Sequence, residues 1–229
     1  MRRLALLAAL TAAVPLAAQV QTLSPFQQAK ARDALRDQLP CLGCHELDGS
    51  GGRTAPTLDG VASRRGAAWV RAMIVDPQRT RPGAAMPRVP MPDALRDLII
   101  AYLGRDAASV DAPIQQPPAA SAPAAASNGT QLYARWCASC HGARGEGDGP
   151  NAKYLPVPPA RHASGEAMSK LSDDVMFDAI AGGGRVMGLS PRMPPFGATL
   201  SNAEIRSLVG YIRTLCACAG PAWSTDDRR

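Results

Sequence analysis

The five-residue pattern Cys-x-x-Cys-His occurs twice in this chain, at residues 41–45 (CLGCH) and 137–141 (CASCH). Each copy must fold so that two thiols and one imidazole come together, and this requirement constrains the local structure. Two of the three histidines in the chain lie in these copies. The duplication therefore predicts two structural units with related chemistry.

The pattern is the attachment signature of c-type haem, in which two thiols add to the vinyl groups of one porphyrin and the histidine ligates its iron. A zinc half-site or a redox-active thiol pair would also use Cys-x-x-Cys, but a histidine directly after each pair favours haem. The sequence thus predicts two covalently bound haem c groups. The candidate anchors are Cys41, Cys44, Cys137 and Cys140, and the candidate axial ligands are His45 and His141.

The N-terminus predicts a cleaved signal peptide over residues 1–18. A short basic start, Met1-Arg2-Arg3, precedes an apolar run that ends at Ala17-Ala18. The run is short for a bilayer span, which needs roughly 20 residues. We therefore expect export to the periplasm and no transmembrane segment after cleavage.

The remaining length fits two small domains joined by a linker. We predict domain 1 over residues 19–110, a Pro/Ala-rich linker over 111–126, domain 2 over 127–218 and a C-terminal tail over 219–229. Aromatic residues make up only 4% of the chain, so a large apolar cofactor would supply part of each core.

Apolar spacing and capping residues predict an all-α fold, with three to four helices around one haem in each domain. In domain 1 they predict helices over residues 25–39, 66–75 and 92–103. In domain 2 they predict an entry helix over 129–137, a helix capped by Ser172 that ends in glycines 182–184, and a final helix opened by the capping box of residues 201–204.

This order of helix, motif, methionine loop and final helix resembles class I cytochromes c over residues 24–104 and 127–215. In that family a small glycine and a C-terminal aromatic residue let the first and last helices cross closely, and Gly129 and Tyr211 match them. The resemblance also implies that a backbone carbonyl accepts a hydrogen bond from the ligand histidine. Pro56 matches that role in domain 1, and one of residues 156–159 is expected to fill it in domain 2.

The resemblance further implies a methionine as the sixth iron ligand. Met86 in domain 1 and Met193 in domain 2 are the candidates, with Met91 and Met187 as their rivals. Met91 directly precedes a predicted helix and has little loop to carry it across the haem. His/Met ligation raises the reduction potential, and it closes the iron to exogenous ligands.

The formal net charge of +6 is modest, and together with export it argues against nucleic acid as a partner. Arginines cluster after the first motif. Positive charge near Arg64, Arg65 and Arg71 would steer an acidic redox partner. The alternative is a solvated arginine-rich surface, with one or two side chains pairing haem propionates.

Two features lie outside this pattern. Cys216 and Cys218 could form an awkward bridge across one residue, pair with another subunit or bind a metal. His162 lies in a polar loop and is expected at the surface.

These observations predict a periplasmic dihaem cytochrome c that transfers single electrons between redox partner proteins and catalyses no reaction of its own. One alternative is a cytochrome subunit of a larger dehydrogenase or reductase complex. The other is a small dihaem oxidoreductase in which one haem iron is open.

Overall fold

The computed structural model describes residues 23–105 and 128–224. The predicted signal peptide, the predicted linker and the end of the predicted tail lie outside these ranges. The described residues are mostly helical, with one short antiparallel hairpin. The all-α prediction is thus confirmed in its coarser form.

Ten α-helices and two strands are numbered here in chain order. They are α1 Pro25–Asp33, β1 Glu46–Leu47, β2 Ser50–Gly51, α2 Val61–Arg65, α3 Ala67–Val75, α4 Pro77–Thr80, α5 Asp93–Leu103, α6 Gly129–Trp136, α7 Ala138–His141, α8 Gly165–Met168, α9 Asp173–Val186 and α10 Asn202–Cys216.

The first unit is built on α1 and α5, which pack against each other. Ser24 and Gln27 form a capping box that opens α1, and a π-helical turn, Ala34–Gln38, extends it toward the first motif. Leu35 from this turn is fully buried. Phe26 in the first turn of α1 is 76% exposed.

The hairpin of β1 and β2 directly follows the first motif and was not foreseen. Its two-residue turn, Asp48-Gly49, has φ of 49° and 74°. Positive φ at both central residues matches the twist of a tight hairpin, and Asp-Gly is a preferred pair for it. The strands are only two residues long, so the period-two apolar pattern that would have predicted them is absent.

The second unit repeats this arrangement with α6 and α10. Capping boxes open both helices, from Asn128 with Gln131 and from Ser201 with Glu204. The two helices cross closely at Gly129, where a Cβ atom would lie 2.2 Å from the Ser207 carbonyl oxygen. The predicted role of this glycine in helix crossing is therefore confirmed.

We expect Gly129→Ala to destabilise the protein, because the added methyl group overpacks this crossing, at a typical cost of roughly 1–3 kcal/mol. Gly210→Ala is the matched control: Gly210 lies on α10 with no atom near its Cβ position. The control should stabilise the helix by about 0.5–1 kcal/mol. Thermal unfolding of both variants checks this pair, and equal effects would contradict the close crossing.

Two separate hydrophobic clusters form the core. The first combines residues of the motif, α1, α3 and α5, and the second combines residues of α6, α9 and α10 with the loop before α10. Each cluster lies beside one Cys-x-x-Cys-His copy, with Cys41 packed against the first and Cys137 against the second. The fold therefore surrounds each motif with its own apolar environment.

Within the described ranges, no helix is both long and apolar enough to cross a bilayer.

Candidate functional site

In the first motif, one tight turn gathers the three functional side chains. The backbone N–H groups of Cys44 and His45 both donate to the Cys41 carbonyl, at 3.2 and 3.0 Å. Gly52 and Ala55 then donate to the carbonyls of Leu42 and Cys44. The loop after the motif is thus fastened to the turn that carries the thiols.

The ring of His45 is oriented by one hydrogen bond. Its Nδ1 lies 2.6 Å from the Pro56 carbonyl oxygen, the acceptor that the sequence predicted. Because a carbonyl only accepts, Nδ1 carries the proton and Nε2 keeps its lone pair. Burial lowers the pKa of His45, which favours the neutral ring that a metal requires.

The second motif has the same geometry. Cys140 and His141 donate from their backbones to the Cys137 carbonyl, and His141 Nδ1 lies 2.9 Å from the carbonyl oxygen of Ala160. Burial again lowers the ligand pKa. The prediction of an acceptor within residues 156–159 is wrong by one residue. The loop is closed by a hydrogen bond from the Ala163 N–H to the Gly145 carbonyl, and Ala160 lies against the ring.

All four motif cysteines are free thiols, and all are partly buried. Burial raises the pKa of the Cys41 and Cys44 thiols to about 11. Burial and the neighbouring Cys140 charge raise that of Cys137 to about 12. Each site therefore offers two reduced sulfurs beside an apolar cluster and an imidazole with a free Nε2, and this donor set fits a covalently attached haem.

The zinc alternative gains no support. Within residues 23–105 and 128–224, no three His, Cys, Asp or Glu side chains are grouped so that they could hold a metal ion.

The Met193 loop is fastened to the glycine turn of α9. The Gly184 N–H donates to the Met193 carbonyl at 3.0 Å, and a Cβ at Gly183 would meet the same carbonyl at 3.0 Å. Met193 packs against the second cluster, whereas Met187 ends α9 as its cap residue. Gly183 and Gly184 allow this close approach, since a Cβ atom at either would crowd the loop and Gly183 also has a φ of 78°.

The corresponding loop of the first unit is held by Gln78, whose side-chain amide donates to the Met86 carbonyl. Met86 is partly buried, and Met91 packs against the first cluster. Both methionines therefore remain candidates, and Met86 stays the prediction because of its longer loop.

His162 is not the surface residue that the sequence predicted. Its ring stacks on His141 with 4.0 Å between centroids and 13° between planes. Its Nδ1 lies 2.9 Å from the Tyr133 hydroxyl. Burial, followed by the effect of His141, lowers the pKa of His162 to about 3. His162 thus limits rotation of the candidate ligand ring of His141. The only sequence signal for this role is that His162 is the one histidine outside the two motifs.

Cys216 and Cys218 form a disulfide within the chain, so the first of the three alternatives is the one observed. Ala217 between them has a φ of 47° and caps the end of α10. This left-handed turn bends the chain back, so that the two sulfurs meet across one residue.

The arginines proposed to face a partner are engaged within their own unit. Arg64 donates to two backbone carbonyls of residues 57–59, and Arg65 stacks on an aromatic ring. Arg71 pairs with Asp97 at 2.8 Å, which offsets its charge. Arg64 and Arg65 have no acidic partner among the ion pairs of the described residues, and the prediction of a basic docking surface there stays untested.

Residues 124–212 match the model of the family described as cytochrome c oxidase, cbb3-type, subunit III. The matched segment contains the second motif and Met193, and it is less than half of the chain. The match supports a c-type cytochrome domain, with covalently bound haem, in this part of the chain. No curated protein matches the sequence.

Two solved structures are similar to parts of the chain. The c-type cytochrome KustC0563 is 27% identical over 39% of this chain and 98% of that chain, with a TM-score of 0.32. The reducing HAO-like protein complex Kustc0457/Kustc0458 of Kuenenia stuttgartiensis is 22% identical over 55% of this chain and 61% of that chain, also with a TM-score of 0.32. At this TM-score neither structure bears on function.

Proposed function

We propose that the chain is a periplasmic dihaem c-type cytochrome that transfers single electrons between redox partner proteins. The observation that carries the proposal is the repeated ligand geometry. In both motifs a backbone carbonyl holds the histidine at Nδ1, at 2.6 Å in His45 and 2.9 Å in His141, so that each Nε2 is free. The family match covers the second motif alone, and the first motif repeats the ligand geometry of the second.

A bound haem supplies an iron that changes its charge by one electron. The chain would provide the rest: Cys41, Cys44, Cys137 and Cys140 would anchor the two haems, with His45 and His141 as nitrogen ligands of the irons. Met86 and Met193 would be the sulfur ligands, and irons ligated in this way would be closed to a substrate. The two apolar clusters exclude water from the sites, which with hydrogen bonding sets their potentials.

A second candidate is a cytochrome subunit of a larger complex. The matched family is named as a subunit of an oxidase, which favours this alternative. It differs from the first only in the partner, since the same haem sites would receive electrons from, or pass them to, a permanently bound neighbour. The native mass of the protein purified from its source cells separates the two.

Spectroscopic titration of the purified protein tests the main proposal. We expect two haems per chain, each reduced reversibly by one electron, and no binding of cyanide or carbon monoxide at neutral pH, because both irons are closed. A haem that binds cyanide readily would show an open iron, and the small dihaem oxidoreductase would then replace the carrier. Protein found in the cytoplasmic fraction after cell fractionation would overturn the periplasmic assignment.

A further inference from the structure

A fully buried polar side chain lies where the two units meet. Asn151 of the second unit is 0% exposed, and its amide forms three hydrogen bonds to the first unit besides a contact with the Cys140 thiol of its own unit. Nδ2 donates to the Gly43 carbonyl at 2.9 Å and to the Thr54 hydroxyl at 2.7 Å, while Oδ1 accepts from the Arg53 N–H at 2.8 Å. Both amide hydrogens are therefore used, and the buried group is satisfied.

The backbone of Asn151 reaches the other motif. Its N–H donates to the Ser139 carbonyl at 2.9 Å. Ser139 and Gly43 hold the same place in the two motifs, the third of five positions. Asn151 thus bonds equivalent carbonyls of both attachment motifs, one through its backbone and one through its side chain.

The surfaces around this residue are in backbone contact. A Cβ atom at Gly43 would lie 2.4 Å from the Arg192 carbonyl oxygen, and one at Gly52 would lie 2.8 Å from Asn151 Nδ2. Glycine at both positions lets the second unit approach this closely.

Two other bonds between the units lie at the exposed rim of this contact, and a third, longer one from Arg192 to the Leu35 carbonyl at 3.4 Å is partly buried. The Arg88 N–H donates to the Thr199 hydroxyl at 2.8 Å, and Arg135 donates to the Ala84 carbonyl at 3.1 Å, both at exposed positions. Water can replace these bonds, so they contribute little. Loss of the Asn151 amide would remove the buried partner of the Gly43 carbonyl and the partly buried partner of the Arg53 N–H, which is more costly.

We propose that Asn151 is a positioning residue that locks the two attachment loops together, so that the two haem sites are held at a fixed, short separation. The inference rests on the proposed function, in which both motifs carry haem. Its consequence is that an electron received by either unit equilibrates with the other inside the chain, without a second encounter with a partner.

Asn151→Ala in the full-length protein tests this role, with Thr199→Val as the matched control that removes one rim bond. The rate of internal electron exchange after pulsed reduction should fall by about tenfold or more in Asn151→Ala, because each lost buried bond shifts the docked population by about that factor. The control should change it by less than about twofold. Asn151→Asp keeps the acceptor for Arg53 but sets a buried carboxylate oxygen against the Gly43 carbonyl oxygen, so its rate should fall at least as far as in Asn151→Ala.

Two further measurements separate the lock from a general structural role. Asn151→Ala should keep the haem content of the parent protein, since the cysteine anchors do not change. It should also keep the far-red charge-transfer band of ferric haem bound by methionine sulfur, since the ligands do not change. Small-angle scattering of the same samples should show a larger radius of gyration as the units separate, and this readout holds whatever the haem count. Gly43→Ala disrupts the same contact from the first unit, because its methyl group would collide with the Arg192 carbonyl. It replaces Asn151→Ala in both measurements if Asn151→Ala does not fold.

The lock would be overturned if Asn151→Ala and Gly43→Ala both kept the parent rate of internal electron exchange and the parent radius of gyration. A parent protein with one haem would overturn the proposed function instead, while the scattering result would still decide whether Asn151 joins the units.

Discussion

A chain in which Cys137 and Cys140 are both replaced by serine is expected to carry one covalent haem instead of two. A serine hydroxyl does not form the thioether bond, so the second motif is lost while the first keeps its complete turn. The haem absorbance per chain should fall by about half, and the mass should fall by that of one haem. Mass spectrometry after denaturation and the pyridine haemochrome spectrum measure both.

The disulfide supplies the matched control. Cys216 and Cys218 are paired with each other and no histidine follows them, so the double serine variant should keep both haems. The reciprocal change at Cys41 and Cys44 should also leave one haem. A parent protein with a single haem, lost only from the second-motif variant, would show that the first motif holds something else and would revive the zinc or redox-pair alternatives.

The second large effect is expected at the sixth iron ligand of the second unit. Met193→Ala should remove about half of the far-red charge-transfer band of the oxidised protein, because one of two methionine–iron bonds is lost. The altered haem should have a lower reduction potential and should bind cyanide. Met187→Ala is the control and should leave the band intact, since Met187 is a helix cap outside the second cluster.

The same comparison in the first unit uses Met86→Ala and Met91→Ala. We expect the loss of half the band only from Met86→Ala, because the longer loop reaches across the site. If Met91→Ala removes it instead, the ligand is the methionine packed in the first cluster. If the parent band corresponds to one methionine only, one iron is open and the carrier proposal is wrong for that unit.

Local signals predicted much of this structure. The caps at Ser172 and Ser201 depend on neighbouring residues alone, and the helices that they open begin where those residues placed them. The turn that gathers each motif is also local. For that reason the candidate anchors and histidine ligands could be named from the sequence.

Features set by distant contacts could not be predicted. Asn151 lies in an ordinary polar loop, and its partners Gly43 and Thr54 are 108 and 97 residues away. Ala160 became the acceptor for His141 only through closure of the loop around it. The partial burial of His162, which lies in a turn, similarly depends on Tyr133 of α6. Such contacts have no periodicity or motif to reveal them.

The two motifs are not interchangeable in this chain, although both have the same Cys-x-x-Cys-His pattern. Leu42 is fully buried in the first cluster, and a side chain at Gly43 would strike the Arg192 carbonyl at 2.4 Å. A transplanted Ala-Ser pair would therefore leave a cavity on one side and force the units apart on the other. The first motif is therefore constrained by the core and by the neighbouring unit, in addition to the haem proposed for it. In related chains we expect its two middle residues to drift more slowly than those of the second.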